Sequence, residues 1–525
     1  MTTPSRARRY LDGVSLGVAY LAIVTVAGLW LAPFLIGRFG QAGYGLWLVG
    51  TQLLAYLALL DLGVVALLPR EVAFATGSAT PTTAVADVLA TSRRVTIRQV
   101  PLVALVAVGL WLGVQTRWPE LGGPLGIALT VFVLSFPARV YQAALQGLQD
   151  LRFMGLAQLA AWSAGTAITV ALALQGVGLV ALAAGWSATH LIVTMGARVR
   201  FAARHRAMMT AAAQARVQPN AGRVLLSQSL WLTASQIAQV LLTGSDALVI
   251  AAMLGASAVV PFVCTAKLAA VAANLPYLLV NTSLPALSEA RGRGEDARVL
   301  STVSAVGDAV LVSSGLLASG ILVVNAAFVA WWVGPGLYAG ATVTALVVLT
   351  MVLRHFNVTL AKLLFSAGQQ RALSVVALAD GVIGVVLMAL LVPVAGLPGA
   401  ALAQVIAVTV VAIPVHVALV VRVFGETGRA YLRRTGRTAL RVSTLLLAAA
   451  AVAFWLGEYP SAGAMAAGML ALGVLFAVIV LPVTLQAPLR PFVDRATEAV
   501  ERRGGWCGTL GRGIRRTLPH FETQS

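Results

Sequence analysis

Residues 341–365 read ATVTALVVLTMVLRHFNVTLAKLLF. A helix of about 25 residues is long enough to cross a bilayer at roughly 1.5 Å per residue. Three basic side chains interrupt the apolar run, namely Arg354, His355 and Lys362. At 100° per residue, Lys362 lies about 80° and His355 about 100° around the helix from Arg354. The three groups therefore share one sector of the predicted helix.

This polar sector cannot face lipid, because each Arg or Lys placed in the bilayer costs about 2.5–3.5 kcal/mol even on the most lenient scale. It must face other helices or a hydrated cavity. Two interpretations follow. The cations either form ion pairs inside a helix bundle, or they line a site for an anionic substrate within the membrane.

The composition identifies the class of protein. Of the 525 residues, 59% are hydrophobic and 10% are charged, whereas soluble proteins carry about 25% charged residues. We therefore expect an all-α, polytopic membrane protein. The net charge of +19 does not indicate a nucleic-acid partner, because the basic residues flank apolar segments as cytoplasmic loops do.

Apolar runs long enough to span the membrane recur along the whole chain, and we count fourteen. The predicted spans are 13–37, 45–69, 99–114, 124–146, 153–175, 179–199, 224–254, 259–285, 300–324, 340–365, 373–394, 399–421, 440–456 and 462–484. With the N-terminus inside, 31 of the 37 Lys and Arg residues fall in inner segments, two in outer segments and four within spans. This asymmetry predicts cytoplasmic N- and C-termini and a first span that acts as a signal-anchor.

An internal repeat predicts the domain organisation. The segment GVGLVALA (176–183) recurs as GLPGAALA (396–403), and six spans per copy make both copies enter the membrane in the same direction. Parallel repeats of this kind place a substrate site between two lobes. The predicted domains are an N-terminal six-helix lobe (1–199), a cytoplasmic linker (200–223), a C-terminal six-helix lobe (224–421), two extra transmembrane helices (422–484) and a cytoplasmic tail (485–525).

Sequence motifs for catalysis are missing. The chain contains neither GxxxxGK[ST] nor HExxH, which excludes a P-loop ATPase and a zincin. No nucleophile, metal or nucleotide constellation is found either. We therefore expect a protein that is not an enzyme and needs no cofactor or metal.

Charged groups within the predicted spans are the candidates for function. The cations are Arg139, Lys267, Arg354 and Lys362, and the acids are Asp61, Asp246, Asp308 and Asp380. Four cations and four acids permit complete pairing, which is the strongest support for a purely structural role.

The seventh span carries a polar stripe at helical spacing, formed by Gln228, Ser235, Gln239, Thr243 and Asp246. Either helix–helix hydrogen bonding or a hydrated central cavity explains it, and the cavity is favoured because this span begins the second lobe. Asp61 is a further candidate for lining such a cavity. His190, alone on the sixth span, is more typical of a packed core histidine than of a proton relay.

Five stretches resemble bacterial polysaccharide flippases, which belong to the multidrug/oligosaccharidyl-lipid/polysaccharide exporter superfamily. They are LAPFLIGRFGQAGYGLWLVGTQLLAYLALLDLGVVALLPREVA (31–73), LQGLQDLRFMGLAQLAAW (145–162), DALVIAAMLGASAVVPFVCTAKL (246–268), WWVGPGLYAG (331–340) and LLFSAGQQRALSVVALADG (363–381).

The resemblance implies two six-helix lobes in a V and alternating access that moves a polyprenyl-diphosphate-linked oligosaccharide outward across the bacterial plasma membrane. It implies a cationic cavity for the diphosphate, for which the candidates are Arg139, Lys267, Arg354 and Lys362, with His355 secondary. The expected partners are the lipid-linked glycan, membrane lipids and the glycan polymerase or export machinery.

Other functions stay open at this point. A cation-coupled multidrug exporter is expected to carry an acid in its first span, and a flippase of the peptidoglycan lipid precursor is expected to carry arginines early in that span. Residues 13–37 contain neither. A non-transporting scaffold within an envelope-glycan assembly is a third alternative, if the intramembrane charges are fully paired.

Overall fold

Helices account for the regular structure. A computed structural model of the chain describes residues 6–215, 220–277, 296–457 and 461–484, and no strand occurs in these ranges. The all-α prediction is confirmed. The predicted cytoplasmic tail (485–525), which contains Cys507, lies outside the described residues.

The described helices, numbered α1 to α15 in chain order, include short connecting helices as well as long ones. Their bounds are Arg6–Ala58, Val64–Ala75, Pro81–Arg117, Pro119–Ser135, Arg139–Gly147, Leu151–Leu174, Val180–Arg204, Arg206–Gln214, Ala221–Leu254, Val259–Ala272, Asp296–Val333, Ala341–Ser366, Gln370–Ala407, Ile413–Leu456 and Ala462–Thr484.

Eleven helical ranges among the described residues are long and apolar enough to cross a membrane. Two of them hold more than one predicted span. The range Ile23–Asp61 contains a break at Gly40, and the range Gln370–Leu456 contains breaks at Gly396 and Gly425, where the backbone leaves helical geometry. Each of these glycines has a positive φ, a conformation that costs glycine little. The count of fourteen spans stays a prediction, and the chain is a multi-pass membrane protein.

The chain divides into two compact units. Unit 1 comprises Met1–Val260 and Ala377–Pro393, and unit 2 comprises Pro261–Val376 and Val394–Ser525. The predicted lobe boundaries at 199 and 224 stay a prediction.

In unit 1, a cluster of buried side chains joins α2, α3, α5 and α7, with Val72, Leu89, Leu145 and Phe201 among its members. Lipid is as apolar as these side chains, so close packing rather than water exclusion holds membrane helices together.

Helices α6 and α7 pack through two facing glycines in unit 1. A Cβ atom on Gly185 would lie 2.5 Å from the carbonyl oxygen of Gly165, and a Cβ on Gly165 would lie 2.5 Å from the carbonyl oxygen of Gly185. Only glycine permits such an approach, which is typical of small-residue contacts between membrane helices. The hydroxyl of Thr189 crosses the contact to the carbonyl oxygen of Ala161 at 3.2 Å. The contact therefore fixes the relative position of α6 and α7.

In unit 2, helix α12 is held by buried contacts with α10, α11 and α14. Leu311, Val348, Met351 and Val442 belong to one buried cluster, together with Ala269 of α10. This packing fixes α12, which is the helix that carries Arg354, His355 and Lys362.

Candidate functional site

Arg139 of unit 1 forms an ion pair with Asp61. The Nη2 atom of Arg139 lies 3.1 Å from Oδ2 of Asp61, and the Asp61 side chain is 1% exposed. The backbone N–H of Gly63 donates to Oδ1 of Asp61 at 2.8 Å. The guanidinium also lies over the ring of Phe136, 5.4 Å from its centroid. The charge of Arg139 is therefore matched by a buried acid.

The turn that presents Asp61 is specified by Gly63, whose φ is +74°. A Cβ at this position would lie 2.6 Å from the carbonyl oxygen of Ser229 and 2.9 Å from the hydroxyl of Thr233 on α9. Gly63 thus brings α9 directly against the Asp61 turn. Asp61, which we predicted as a cavity-lining group, instead lies buried beside Arg139.

Asp308 of unit 2 is paired by a residue that the sequence reasoning missed. Its Oδ2 atom lies 3.2 Å from Nε of Arg434, and its Oδ1 atom accepts a hydrogen bond from Thr438 at 2.8 Å. Arg434 lies between the predicted spans 399–421 and 440–456, and it belongs to the long helix α14. The available signal in the sequence was an aspartate inside a predicted span, because an acid within a membrane helix needs a cationic partner.

Arg354 lies in the middle of α12 and is half-buried. Its Nη2 atom donates to Oε1 of Gln404 at 3.1 Å, and Gln404 is 7% exposed. Arg354 and Gln404 each make a further polar or electrostatic contact. Gln404 was not among the predicted site residues.

His355 lies next to Arg354 in sequence but in different surroundings. Its Nε2 atom lies 3.2 Å from the carbonyl oxygen of Ala273, and its Nδ1 atom lies 2.8 Å from the hydroxyl of Ser314. Because a carbonyl oxygen only accepts, Nε2 carries the proton and Nδ1 accepts from Ser314. The ring of Tyr277 packs edge-on against the imidazole. These contacts are typical of a packed, structural histidine.

Lys267 on α10 and Lys362 on α12 are both half-buried. In the part of the chain that the structure describes, neither ammonium group makes a hydrogen bond or an ion pair. Lys267, Arg354 and Lys362 all lie in unit 2, on the helices α10 and α12 that pack against each other. Arg139 belongs to unit 1. Asp246 and Asp380 each make a polar or electrostatic contact.

The polar stripe on α9 is largely exposed. Gln228, Gln239 and Thr243 are exposed, and Ser235 and Asp246 are half-buried. A neighbouring side of α9 contributes the buried Ser229 and Thr233. An exposed polar face on a membrane-spanning helix avoids lipid, since polar side chains in transmembrane segments face the interior or a water-filled cavity. This exposure favours a hydrated cavity over helix–helix hydrogen bonding.

His190 of unit 1 is packed between aromatic rings. It stacks on Trp186, with ring centroids 5.0 Å apart, and on Phe132, with centroids 5.5 Å apart. This stacking agrees with a packed histidine. Within the described ranges, no three His, Cys, Asp or Glu side chains come together as metal ligands would.

Comparisons with known proteins agree with the resemblance drawn from the sequence. Residues 100–306 match the model of a family described as "Polysaccharide biosynthesis protein". No curated protein sequence matches the chain. A solved structure of a lipid II flippase, MurJ, in an inward closed conformation has a TM-score of 0.57 at 10% identity, over 90% of this chain and 99% of that chain.

Two transporters of the multidrug/oligosaccharidyl-lipid/polysaccharide superfamily are also similar. An inward-facing multidrug resistance transporter has a TM-score of 0.49 at 15% identity, over 80% of this chain and 99% of that chain. A transporter from Pyrococcus furiosus has a TM-score of 0.45 at 13% identity, over 82% of this chain and 94% of that chain.

The similarity to the lipid II flippase shows that the chain has this transporter fold. Together with the family match, it confirms the predicted resemblance to the polysaccharide and lipid-linked flippases. The expectation of a transporter rather than an enzyme agrees with the family match and with the fold shared with the lipid II flippase.

Proposed function

We propose that this membrane transporter flips a polyprenyl-diphosphate-linked oligosaccharide, the repeat unit of an exopolysaccharide, a capsule or an O-antigen, across the bacterial plasma membrane by alternating access. The match to a polysaccharide biosynthesis family and the flippase fold support the proposal. Its substrate is amphipathic, with a lipid tail, an anionic diphosphate and a polar glycan. A site for it needs cationic groups at membrane depth.

The cations of unit 2 carry the proposal. Lys267 and Lys362 have no hydrogen-bond or ion-pair partner among the described residues. Arg354, in the middle of the same helix as Lys362, donates to the amide of Gln404 and makes a further contact. Lys and Arg bind phosphate oxygens through charge-assisted hydrogen bonds, about twice as strong as neutral ones. We assign the diphosphate to these three residues. Arg139 contributes less, because Asp61 already matches its charge.

The α9 stripe supplies the hydrated surface that the glycan needs. Its exposed amides and hydroxyls, those of Gln228, Gln239 and Thr243, provide donors and acceptors for sugar hydroxyls or water. We further propose that the repeats at 1–199 and 224–421 form the two moving lobes.

Reconstitution tests the function directly. Vesicles that contain the full-length protein and a polyprenyl diphosphate carrying a fluorescent disaccharide are treated with a membrane-impermeant quencher. We expect quenching to extend to the inner-leaflet pool only when the protein is present. A matched lipid that carries the peptidoglycan-type muropeptide tests whether the protein prefers a polysaccharide repeat unit or the peptidoglycan precursor. Quenching confined to the outer leaflet with every diphosphate lipid would contradict the proposal.

The orientation of the chain is tested at Cys507. Because the basic residues divide so unequally between the two sides, we propose that the tail is cytoplasmic. Cys264, the other cysteine, is buried. An impermeant thiol reagent should therefore label Cys507 in inverted membrane vesicles and leave it unlabelled in intact cells. The Cys507→Ser variant is the control, and labelling of the wild type in intact cells would reverse the orientation.

A further inference from the structure

Unit 1 contains a small cavity that the diphosphate site does not use. It lies between α5, α6 and α7, has a volume of about 310 Å³, and is lined by Gln142, Gln158, Trp186, Thr189 and His190 among others. Its walls are held rigidly, because α6 and α7 touch at Gly165 and Gly185.

Several polar groups in this cavity lack hydrogen-bond partners. The Nε2 atom of His190 is buried without a partner. Within the described part of the chain, the side-chain amides of Gln142 and Gln158 make no hydrogen bond either. The hydroxyl of Thr189 donates to backbone carbonyl oxygens, so its lone pairs are free to accept. Buried polar groups without partners are costly, so these atoms are available to hydrogen-bond a ligand that enters the cavity.

The charge of the cavity determines which ligand fits. None of the described side chains that line it is charged. The nearby guanidinium of Arg139 lies over the ring of Phe132, and that ring also packs on His190. The charge of Arg139 is paired with Asp61. The cavity therefore offers amides, a hydroxyl and an imidazole, which suit the alternating donors and acceptors of neutral hydroxyl groups rather than a phosphate.

An aromatic surface completes the site. Trp186 lines the cavity and stacks on His190 with an angle of 7° between the ring planes. Ligand pockets combine such aromatic surfaces with a few placed polar groups, and an aromatic face accepts the C–H groups of a sugar ring. We propose that this cavity binds one neutral pyranose ring of the transported glycan, through Gln142, Gln158, His190 and the indole of Trp186. The proposal rests on the proposed function, since the glycan headgroup is the carbohydrate such a transporter would present.

Saturation-transfer NMR on the full-length protein in nanodiscs tests the cavity, because it detects weak sugar binding. The probes are methyl glycosides of neutral hexoses and, for comparison, glucuronic acid. We expect saturation transfer to a neutral glycoside, and a loss of about tenfold in affinity in the Gln142→Leu/Gln158→Leu double variant, which removes both amides. Gln175→Leu, at an exposed position outside the cavity, is the matched control and should bind as the wild type does.

Thermal unfolding separates a ligand site from a structural polar cluster. Leucine needs no hydrogen bond, so without sugar the double variant should unfold at the same temperature as the wild type or higher. A clearly lower unfolding temperature would show that the amides stabilise the fold, and would overturn the proposal. Saturation transfer to glucuronic acid alone, to no sugar at all, or equally in the double variant would overturn it too.

The flipping assay distinguishes free sugar from the glycan headgroup. We expect the double variant to flip the glycan-bearing lipid more slowly than Gln175→Leu does, and unchanged flipping would overturn the assignment to the headgroup. If the wild type binds the glycosides but flips no lipid, the proposed function fails while the sugar site stands. If the wild type flips the lipid but binds no glycoside, only the sugar site fails.

Discussion

Replacing Arg354 with Gln is expected to reduce glycan flipping about tenfold or more while the protein stays folded. Charge-assisted hydrogen bonds contribute about 1.5–3 kcal/mol each, and about 1.4 kcal/mol corresponds to a factor of ten. Arg354 is the residue of choice because it lies in the middle of α12, whereas Lys362 lies four residues from the end of that helix. Gln keeps a polar side chain of similar length and removes the charge together with the guanidinium fork.

Three further variants sharpen this measurement. Arg354→Lys keeps the charge but loses the planar fork, and we expect partial flipping. Gln404→Leu removes the amide that orients the guanidinium, so it should weaken flipping less than Arg354→Gln does. Arg371→Gln removes a positive charge from the exposed start of α13 and should flip lipid at the wild-type rate.

Thermal stability decides between the two interpretations of Arg354. Loss of flipping at an unchanged unfolding temperature supports the diphosphate site. If Arg354 instead pairs with a buried acid, its removal should cost about 3–5 kcal/mol of stability, because the acid is left uncompensated. Poor expression or early melting would then point to the ion pair. Normal stability with normal flipping would remove Arg354 from the mechanism.

Much of the fold follows from hydrophobicity. The apolar runs predict helices that the structure confirms, and the long helix α12 coincides with residues 341–365. The helix breaks at Gly40 and Gly425 lie between predicted spans. The helical connection after Gly425 was harder to predict, because α14 continues from there into the span 440–456 without a loop. A sliding count of apolar residues does not distinguish a helix that continues past the membrane surface from a loop.

Sequence periodicity predicted which side chains share a helix face, but not which distant side chains pair. Helical periodicity places Gln228, Gln239 and Thr243 on one face of α9, and that face is exposed. Pairing between distant residues has no comparable signal in a single sequence. Asp61 and Arg139 are far apart in the chain, as are Ser314 and His355, and only the packed helices bring them together.

The largest loss of stability is expected at the Asp61–Arg139 pair. Asp61 is almost fully buried and receives the guanidinium at 3.1 Å. Replacing Arg139 with Met leaves this carboxylate buried without its cation, which should cost about 3–5 kcal/mol. We expect a much lower unfolding temperature in detergent, measured by tryptophan fluorescence, and poor expression.

The double variant Arg139→Met/Asp61→Leu should recover most of this loss, because replacing both partners of a buried pair with apolar residues of similar size is often neutral or stabilising. Recovery would show that the pair acts as a unit. A single Arg139→Met variant as stable as the wild type would contradict the ion pair as a structural element. A double variant that is stable yet no longer flips glycan would place Arg139 back among the diphosphate ligands, with Lys267, Arg354 and Lys362.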